Sequence, residues 1–183
     1  MSKLGSSDNP LKVAIVGAGP SGFYAADALI TSELKVEVNL IEKLCAPYGL
    51  VRTGVAPDHP LIKKSIEKFA VMAEPEEFNY FGNVAVGKDI TVDQLKESHH
   101  AVIITMGAET DRKLGIPGED LKGSHTATEF VAWYNGHPEY REREFDLSHE
   151  TAVIIGQGNV AADVARILSK TVDELKCTDI SQH

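Results

Sequence analysis

Residues 13–22, with the sequence VAIVGAGPSG, decide the fold of this chain. The run Val13–Val16 is apolar and partly β-branched, which is typical of a buried strand. Glycines follow at positions 17, 19 and 22, which is the G-x-G-x-x-G spacing of a dinucleotide-binding turn. In such a turn Gly17 permits the sharp bend, Gly19 leaves space for a pyrophosphate, and Gly22 lets the following helix pack close to the sheet. We therefore predict a strand, a phosphate-binding turn and a helix, and we call this turn the first glycine turn.

The sequence after this turn supplies the context that the motif needs. Pro20 suits the first turn of a helix, where its missing N–H costs nothing, and the helix is expected to run over Phe23–Thr31. A second strand is expected over Val36–Ile41, followed by Glu42, whose carboxylate is placed to accept hydrogen bonds from ribose hydroxyls. The N–H groups and the positive dipole end of the helix favour phosphates. This arrangement favours a nucleotide site over an ordinary strand–turn–helix.

A second glycine motif lies in residues 151–161, TAVIIGQGNVA. It predicts a strand over 151–155, a G-x-G-x-x-A turn from Gly156 to Ala161, which we call the second glycine turn, and a further helix. Alanine is allowed at the third position where helix and strand pack less closely. The elements after this motif are too few to bury a second core. We therefore expect two units, residues 10–113 and an incomplete 114–183, in the N-terminal part of a longer protein.

The composition is that of a globular protein, with 183 residues, 43% of them hydrophobic, and a formal net charge of −9. This acidic balance argues against nonspecific nucleic-acid binding, which needs a basic surface. No apolar run is long enough for an integral membrane segment, and residues 1–10 lack a signal-peptide core. We expect a cytoplasmic protein, or a mitochondrial-matrix protein if a presequence has been removed. Cys45 and Cys177 form neither a redox pair nor a metal motif, so we expect no metal site and a buried, inert Cys45.

The loop over residues 43–60 is long and half apolar, which is more typical of a functional segment than of a surface excursion. A helix is expected to follow over 60–73, and its proline biases His59 toward an extended backbone. If the two nucleotide sites face each other to pass hydride, His59 would approach Asp163 of the second helix, and a hydrogen bond between them would hold the two domains together. The alternative is that His59 only caps the helix and that Asp163 is solvated.

Two glycine motifs of this kind suggest two cofactors, a flavin dinucleotide and a nicotinamide dinucleotide, with hydride passing from the nicotinamide to the flavin. A flavin enzyme that reduces disulfides needs a cysteine pair beside the ring, and this sequence has none. An external one-electron carrier is therefore the acceptor that we expect. A nucleotide-binding module without turnover and a two-electron flavin reductase with additional iron–sulfur partners stay open as alternatives.

Three stretches, 13–26 (VAIVGAGPSGFYAA), 46–60 (APYGLVRTGVAPDHP) and 153–168 (VIIGQGNVAADVARIL), resemble the adrenodoxin-reductase-type ferredoxin–NADP(+) reductases. The resemblance covers almost all of residues 11–180. It implies an α/β fold, with a Rossmann-like FAD-binding domain followed by the start of a second, NADP-binding Rossmann-like domain. It also implies a flavoprotein that passes electrons from NADPH through FAD to a ferredoxin-type iron–sulfur protein. A reductase like the small subunit of glutamate synthase is the weaker match.

The resemblance further implies which residues hold the cofactors. The residues that the resemblance implies for FAD lie in the first glycine turn and in the segments beside it: Ala18, Gly19, Ser21, Glu42, Gly49, Leu50 and Val86. The glycine motif itself adds Gly17, Pro20 and Gly22. The residues implied for NADP lie in the second glycine turn and before it: Gln157, Gly158, Asn159, Val160 and Arg112. The second glycine motif itself adds Gly156. The catalytic candidates are His59 and Asp163.

Overall fold

The computed structural model describes residues 3–108 and 110–182 of the chain. The chain forms two compact units, one of Met1–Arg52 with Lys64–Gly107 and the other of Thr53–Lys63 with Ala108–His183. The α-helices, α1 to α8 in chain order, span Pro20–Ile30, Leu50–Thr53, Pro60–Lys63, Ser65–Met72, Val92–Ser98, Ala127–Tyr134, Asn159–Ser169 and Val172–Leu175. A 3₁₀ helix covers Pro138–Tyr140. None of the described helices is long and apolar enough to cross a membrane.

The first unit is built on a parallel sheet whose strands are β1 Leu11–Val16, β2 Val36–Ile41, β3 Phe78–Phe81 and β4 Ala101–Ile104. The strands lie in the order β3-β2-β1-β4, and every pairing between them is parallel. The central strand β1 contributes four consecutive buried residues, as expected for a strand with covered faces. This strand order is that of a Rossmann-type sheet, so the predicted α/β fold and its first two strands are confirmed.

Apolar side chains cover both faces of this sheet. On one face Phe23 of α1 and Phe69 of α4 pack in a buried cluster with the sheet, their ring centroids 5.1 Å apart. On the other face Leu95 of α5 packs with side chains of β1 and β2. Burying a side chain such as Phe23 contributes about 1.5–3 kcal/mol. The two layers of helices fix the sheet, and the carboxyl ends of its strands bring the first glycine turn and Glu42 to one edge.

The second unit packs its helices around an aromatic cluster. Phe130 and Tyr134 of α6 are buried together with Val164 and Ile167 of α7. Phe145 adds its ring to that of Phe130, with the two centroids 5.1 Å apart. The cluster therefore holds α7, the helix that follows the second glycine turn, through side-chain packing.

Two expected elements differ in the structure. The helix expected over 60–73 is divided at Lys64 into α3 and α4, which belong to different units. The strand expected over 151–155 does not form, and Val153 and Ile155 are 84% and 70% exposed. A strand needs a neighbour to pair with its N–H and C=O groups, and the described part of the second unit contains no other strand. The helix predicted after this motif does form, as α7.

Candidate nucleotide-binding site

The first glycine turn is shaped by close approaches that only glycine allows. Gly17 has φ +107°, and a Cβ there would lie 2.7 Å from the Thr105 carbonyl oxygen. A Cβ at Gly22 would overlap the Gly17 carbonyl oxygen. A Cβ at Gly19, in contrast, would meet no atom within 4 Å. The first and third glycines are therefore required by packing, whereas the second leaves open space over the backbone, as a pyrophosphate requires.

The helices that follow the two glycine turns lack side-chain caps. Gly19 caps α1 and Gly158 caps α7, and neither helix has a side-chain hydrogen bond at its N-terminus. Threonine hydroxyls cap three other helices, α5, α6 and α8, by accepting from a backbone N–H of the first turn. The sequence spacings Thr91-x-x-Gln94 and Thr126-x-x-Glu129 predict the caps of α5 and α6, and the structure confirms both. Uncapped N–H groups together with the helix dipole suit an anion such as a phosphate.

Glu42 has a role in the turn that the sequence did not indicate. Its Oε2 accepts a hydrogen bond from the Ala18 N–H at 2.8 Å, and its Oε1 accepts one from the Leu44 N–H at 3.1 Å. The carboxylate therefore links the first glycine turn to the loop that starts after β2. Ionised carboxylates offer about four acceptor positions, so Glu42 retains capacity for ribose hydroxyls.

Tyr48 and Gly49 of the loop that follows β2 lie against the first glycine turn. The Tyr48 N–H donates to the Ala18 carbonyl at 2.8 Å, and a Cβ at Gly49 would lie 2.9 Å from the Gly19 Cα. Tyr48 has φ +89°, an uncommon conformation for a bulky residue, and the Arg52 guanidinium lies 5.3 Å from the centre of its ring. Backbone strain of this kind concentrates at functional positions.

Other groups fix the start of this loop. The Tyr80 hydroxyl donates toward the Leu44 carbonyl at 3.3 Å. Burial, and to a smaller extent the Glu42 carboxylate, raise the pKa of Tyr80 to about 12, so this phenol stays protonated at neutral pH. Leu50 begins α2 and is 69% exposed, and Val86 is half-buried in a bridge with Ile90. The loop and turn thus present both backbone groups and an apolar surface.

The second glycine turn borders a shallow cavity of about 230 Å³. Gly156 has φ +146°, and a Cβ at Gly158 would meet no atom within 4 Å. The cavity is lined by the turn and by the inner side of α7: Ile154, Gly156, Gln157, Gly158, Ala161, Ala162 and Ala165. Asn159 and Val160 form the first turn of α7. The NADP candidates of this motif are therefore grouped at one helix end, whereas Arg112 is an exposed residue of the segment before α6.

The expected hydrogen bond between His59 and Asp163 is not made. Asp163 instead accepts from Arg166, one turn along α7, at 2.8 Å, and no hydrogen bond or ion pair between His59 and Asp163 occurs among the described residues. The His59 carbonyl accepts from the Ile62 N–H at 3.2 Å, which places His59 at the N-terminus of α3. The backbone role that the alternative gave to His59 is therefore observed, whereas Asp163 is not solvated, because its side chain is 19% exposed and pairs with Arg166.

The residue before His59 makes the contact with α7. The Asp58 carboxylate accepts from Arg166 at 2.6 and 2.8 Å, and from the Lys170 ammonium at 2.6 Å. The Asp58 side chain is only 7% exposed. The Arg166 hydrogen bonds, and then those of Lys170, hold the pKa of Asp58 far below its usual range. This cluster was missed from the sequence, since Asp58 lies more than 100 positions from its partners.

The sequence model of the pyridine nucleotide-disulphide oxidoreductase family matches residues 11–180. The chain belongs to this family. The NADPH:adrenodoxin oxidoreductase, mitochondrial, of Salvelinus fontinalis is 55% identical over 172 residues, which are 94% of this chain and 34% of that protein. The NADPH-ferredoxin reductase FprA of Mycobacterium leprae is 52% identical over 176 residues, 93% of this chain and 39% of that protein.

One solved structure has the same fold as this chain. Mycobacterium tuberculosis FprA in complex with NADPH matches with a TM-score of 0.92 and 50% identity, covering 96% of this chain and 40% of that one. The chain thus spans about two-fifths of the length of that protein, and 34% and 39% of the two relatives above.

The two cysteines of the chain form no disulfide bond with each other. Cys45 and Cys177 are both free and exposed, so the expectation of a buried Cys45 was wrong. Cys45 lies in the exposed part of the loop that follows β2, where it makes no contribution to the core. No group of His, Cys, Asp and Glu able to hold a metal occurs among the described residues.

Proposed function

We propose that this chain forms the nucleotide-binding part of a flavoprotein oxidoreductase that passes electrons from NADPH through FAD to a ferredoxin-type iron–sulfur protein. The observation that carries the proposal is the open backbone at Gly19, between the uncapped N-terminus of α1 and the overlying Gly49. The relatives named as NADPH-dependent reductases of adrenodoxin and ferredoxin support it. When bound, a flavin accepts hydride from a nicotinamide and releases electrons singly.

The residues of the first unit fit FAD in distinct ways. The N–H groups at the start of α1 face the position of a pyrophosphate, with Pro20 and Ser21 in the first helical turn. Glu42 orients the turn through Ala18 and accepts ribose hydroxyls with its remaining lone pairs. Gly17 and Gly22 set the shape of the turn, and Gly49, Leu50 and Val86 border it.

The second glycine turn is the proposed NADP site. Gly156 and Gly158 expose the backbone, and Gln157, Asn159 and Val160 surround the start of α7. Arg112 supplies a guanidinium for phosphate recognition. His59 and Asp163 remain the proposed catalytic residues, with Asp163 paired with Arg166 rather than with His59. We also propose the domain division at 113/114 for the whole protein.

Two glycine substitutions test the two sites against each other. Gly19→Ala and Gly158→Ala place a methyl group in space where the protein has no atom within 4 Å. Each should lower stability by about 1 kcal/mol, because both positions are N-caps, where alanine is less favourable than glycine. Gly19→Ala should weaken FAD binding by about 10-fold or more, because phosphate hydrogen bonds are lost, and leave NADP binding unchanged. Gly158→Ala should weaken NADP binding and leave FAD binding unchanged.

Calorimetric titration of the 183-residue chain with FAD and with NADP(H) measures both affinities. Saturable FAD binding that survives Gly19→Ala, or no FAD binding by the unchanged chain, would contradict the proposal. Electron transfer is tested by NADPH-dependent cytochrome reduction with and without added ferredoxin. Reduction that does not depend on ferredoxin favours a reductase like the small subunit of glutamate synthase. Nucleotide binding without any reduction favours a module without turnover.

We propose a cytoplasmic location, with the mitochondrial matrix as the alternative. The Salvelinus fontinalis relative is named mitochondrial, which supports the alternative. Fractionation of cells that express the tagged protein from its own gene distinguishes the two compartments.

A further inference from the structure

Thr105 contacts the first glycine turn from the neighbouring strand. It follows β4 directly, and its backbone N–H donates to the Val16 carbonyl at 2.8 Å. Its hydroxyl lies 3.0 Å from the Val16 carbonyl oxygen and 2.9 Å from the Gly17 carbonyl oxygen. One hydroxyl hydrogen is therefore shared between the last residue of β1 and the first glycine of the turn.

The same residue also touches the other glycine that packing requires. A Cβ at Gly17 would lie 2.7 Å from the Thr105 carbonyl oxygen, and a Cβ at Gly22 would lie 3.2 Å from the Thr105 hydroxyl oxygen. Thr105 thus lies against Gly17 and Gly22 but leaves the space over Gly19 free. The Gly17 carbonyl oxygen, which accepts from the Thr105 hydroxyl, is also the atom that a side chain at Gly22 would overlap.

We propose that Thr105 is a positioning residue of the dinucleotide site. Its hydroxyl fixes the Gly17 carbonyl, and this carbonyl sets the path of the chain through Ala18 to Gly19. The Ala18 N–H then reaches Glu42, and the Gly19 backbone faces the pyrophosphate of the bound dinucleotide. The inference rests on the proposed FAD site, and it assigns Thr105 a role through the turn rather than through contact with the cofactor.

Three variants separate the hydroxyl from the rest of the side chain. Thr105→Val keeps the shape and removes the donor, whereas Thr105→Ser keeps the donor. Thr31→Val is the matched control, because the Thr31 hydroxyl also donates to a backbone carbonyl, that of Asp27, at 2.7 Å and at the far end of α1. FAD affinity is measured by fluorescence titration, and amide hydrogen exchange at Ala18 is measured without FAD.

Thr105→Val should weaken FAD binding by about 3- to 10-fold, the effect of one lost hydrogen bond, and should speed exchange at Ala18. Thr105→Ser should restore both values to within twofold of the unchanged chain, and Thr31→Val should alter neither. Equal FAD affinity and equal Ala18 exchange in Thr105→Val and the unchanged chain would overturn the proposal. If Thr105→Val does not fold, Thr105→Ala replaces it, and equal FAD affinity in the Ala and Ser variants overturns the proposal.

The two readouts distinguish a failure of this inference from a failure of the proposed function. If the unchanged chain does not bind FAD, the proposed cofactor is wrong and the positioning role falls with it. If the chain binds FAD and neither FAD affinity nor Ala18 exchange depends on the Thr105 hydroxyl, only the role of Thr105 is wrong.

Discussion

Replacing Glu42 with alanine should affect the protein even without a cofactor. The carboxylate accepts backbone hydrogen bonds from Ala18 at 2.8 Å and from Leu44 at 3.1 Å. Ala18 is fully buried, so its N–H would be left without a partner unless the turn moves. An unsatisfied buried donor costs about 1–3 kcal/mol, and we expect Glu42→Ala to lower the free energy of unfolding by this amount.

The loss of FAD affinity should come on top of that destabilisation. A hydrogen bond between a ribose hydroxyl and a charged carboxylate contributes about 1.5–3 kcal/mol, which corresponds to roughly 10- to 150-fold in the dissociation constant. Urea unfolding of the chain without FAD measures the first effect, and fluorescence titration with FAD measures the second. The two measurements together separate the structural role of Glu42 from its ligand role.

Glu37→Ala is the matched control for this experiment. Glu37 lies in β2, the strand that Glu42 directly follows, and its only described ion pair is a 3.4 Å contact with Lys12, whose side chain is 46% exposed. Exposed pairs of this kind contribute about 0–1 kcal/mol. If Glu42→Ala unfolds at the same urea concentration as Glu37→Ala and binds FAD with unchanged affinity, the reasoning about Glu42 is refuted.

Three further predictions concern the second unit. Asp58→Asn should lower the free energy of unfolding by about 1.5–3 kcal/mol, since it removes the carboxylate charge that Arg166 and Lys170 share and leaves Arg166 paired with Asp163. The pKa of Asp58 is lower in the folded than in the unfolded chain, so its contribution to stability is complete above the unfolded pKa of about 4 and is lost as the pH falls below it. The difference in free energy of unfolding between the unchanged chain and Asp58→Asn should therefore shrink from about pH 7 to about pH 2. Tyr134→Phe should leave the unfolding midpoint in urea unchanged or slightly higher. The reason is that the buried Tyr134 hydroxyl has no hydrogen-bond partner in the described part of the chain. A clear loss of stability would contradict this prediction. His59→Gln and Asp163→Asn should be additive in unfolding, to within about 0.5 kcal/mol, and a larger coupling would restore a direct interaction between them.

The sequence predicted best those features that depend on neighbouring residues. The apolar run before Gly17, the glycine spacing and the position of Glu42 follow from local rules of strand burial and backbone geometry, and they give the first unit its sheet. The two threonine caps were predictable for the same reason, since a cap and its N–H lie three residues apart.

Features that depend on distant residues could not be predicted in this way. The strand expected over 151–155 has the right composition but no partner in the described part of its unit, and composition does not reveal a partner. The ion pairs of Asp58 join residues more than 100 positions apart, and the positive φ of Tyr48 depends on the turn that its loop crosses. Thr105 gave no signal either, because a single threonine after an apolar strand is common.

The glycine caps of α1 and α7 have a consequence for the life of the protein in a cell. A glycine at the cap gives up only a few tenths of a kcal/mol relative to a threonine, so the empty helix ends cost little. With cofactor at 100 times its dissociation constant, mass action adds about 2.7 kcal/mol to the folded state. If these helix ends hold the proposed cofactors, cofactor supply would set how often the chain opens to proteases, and starvation for the cofactor would shorten its half-life before it limited turnover.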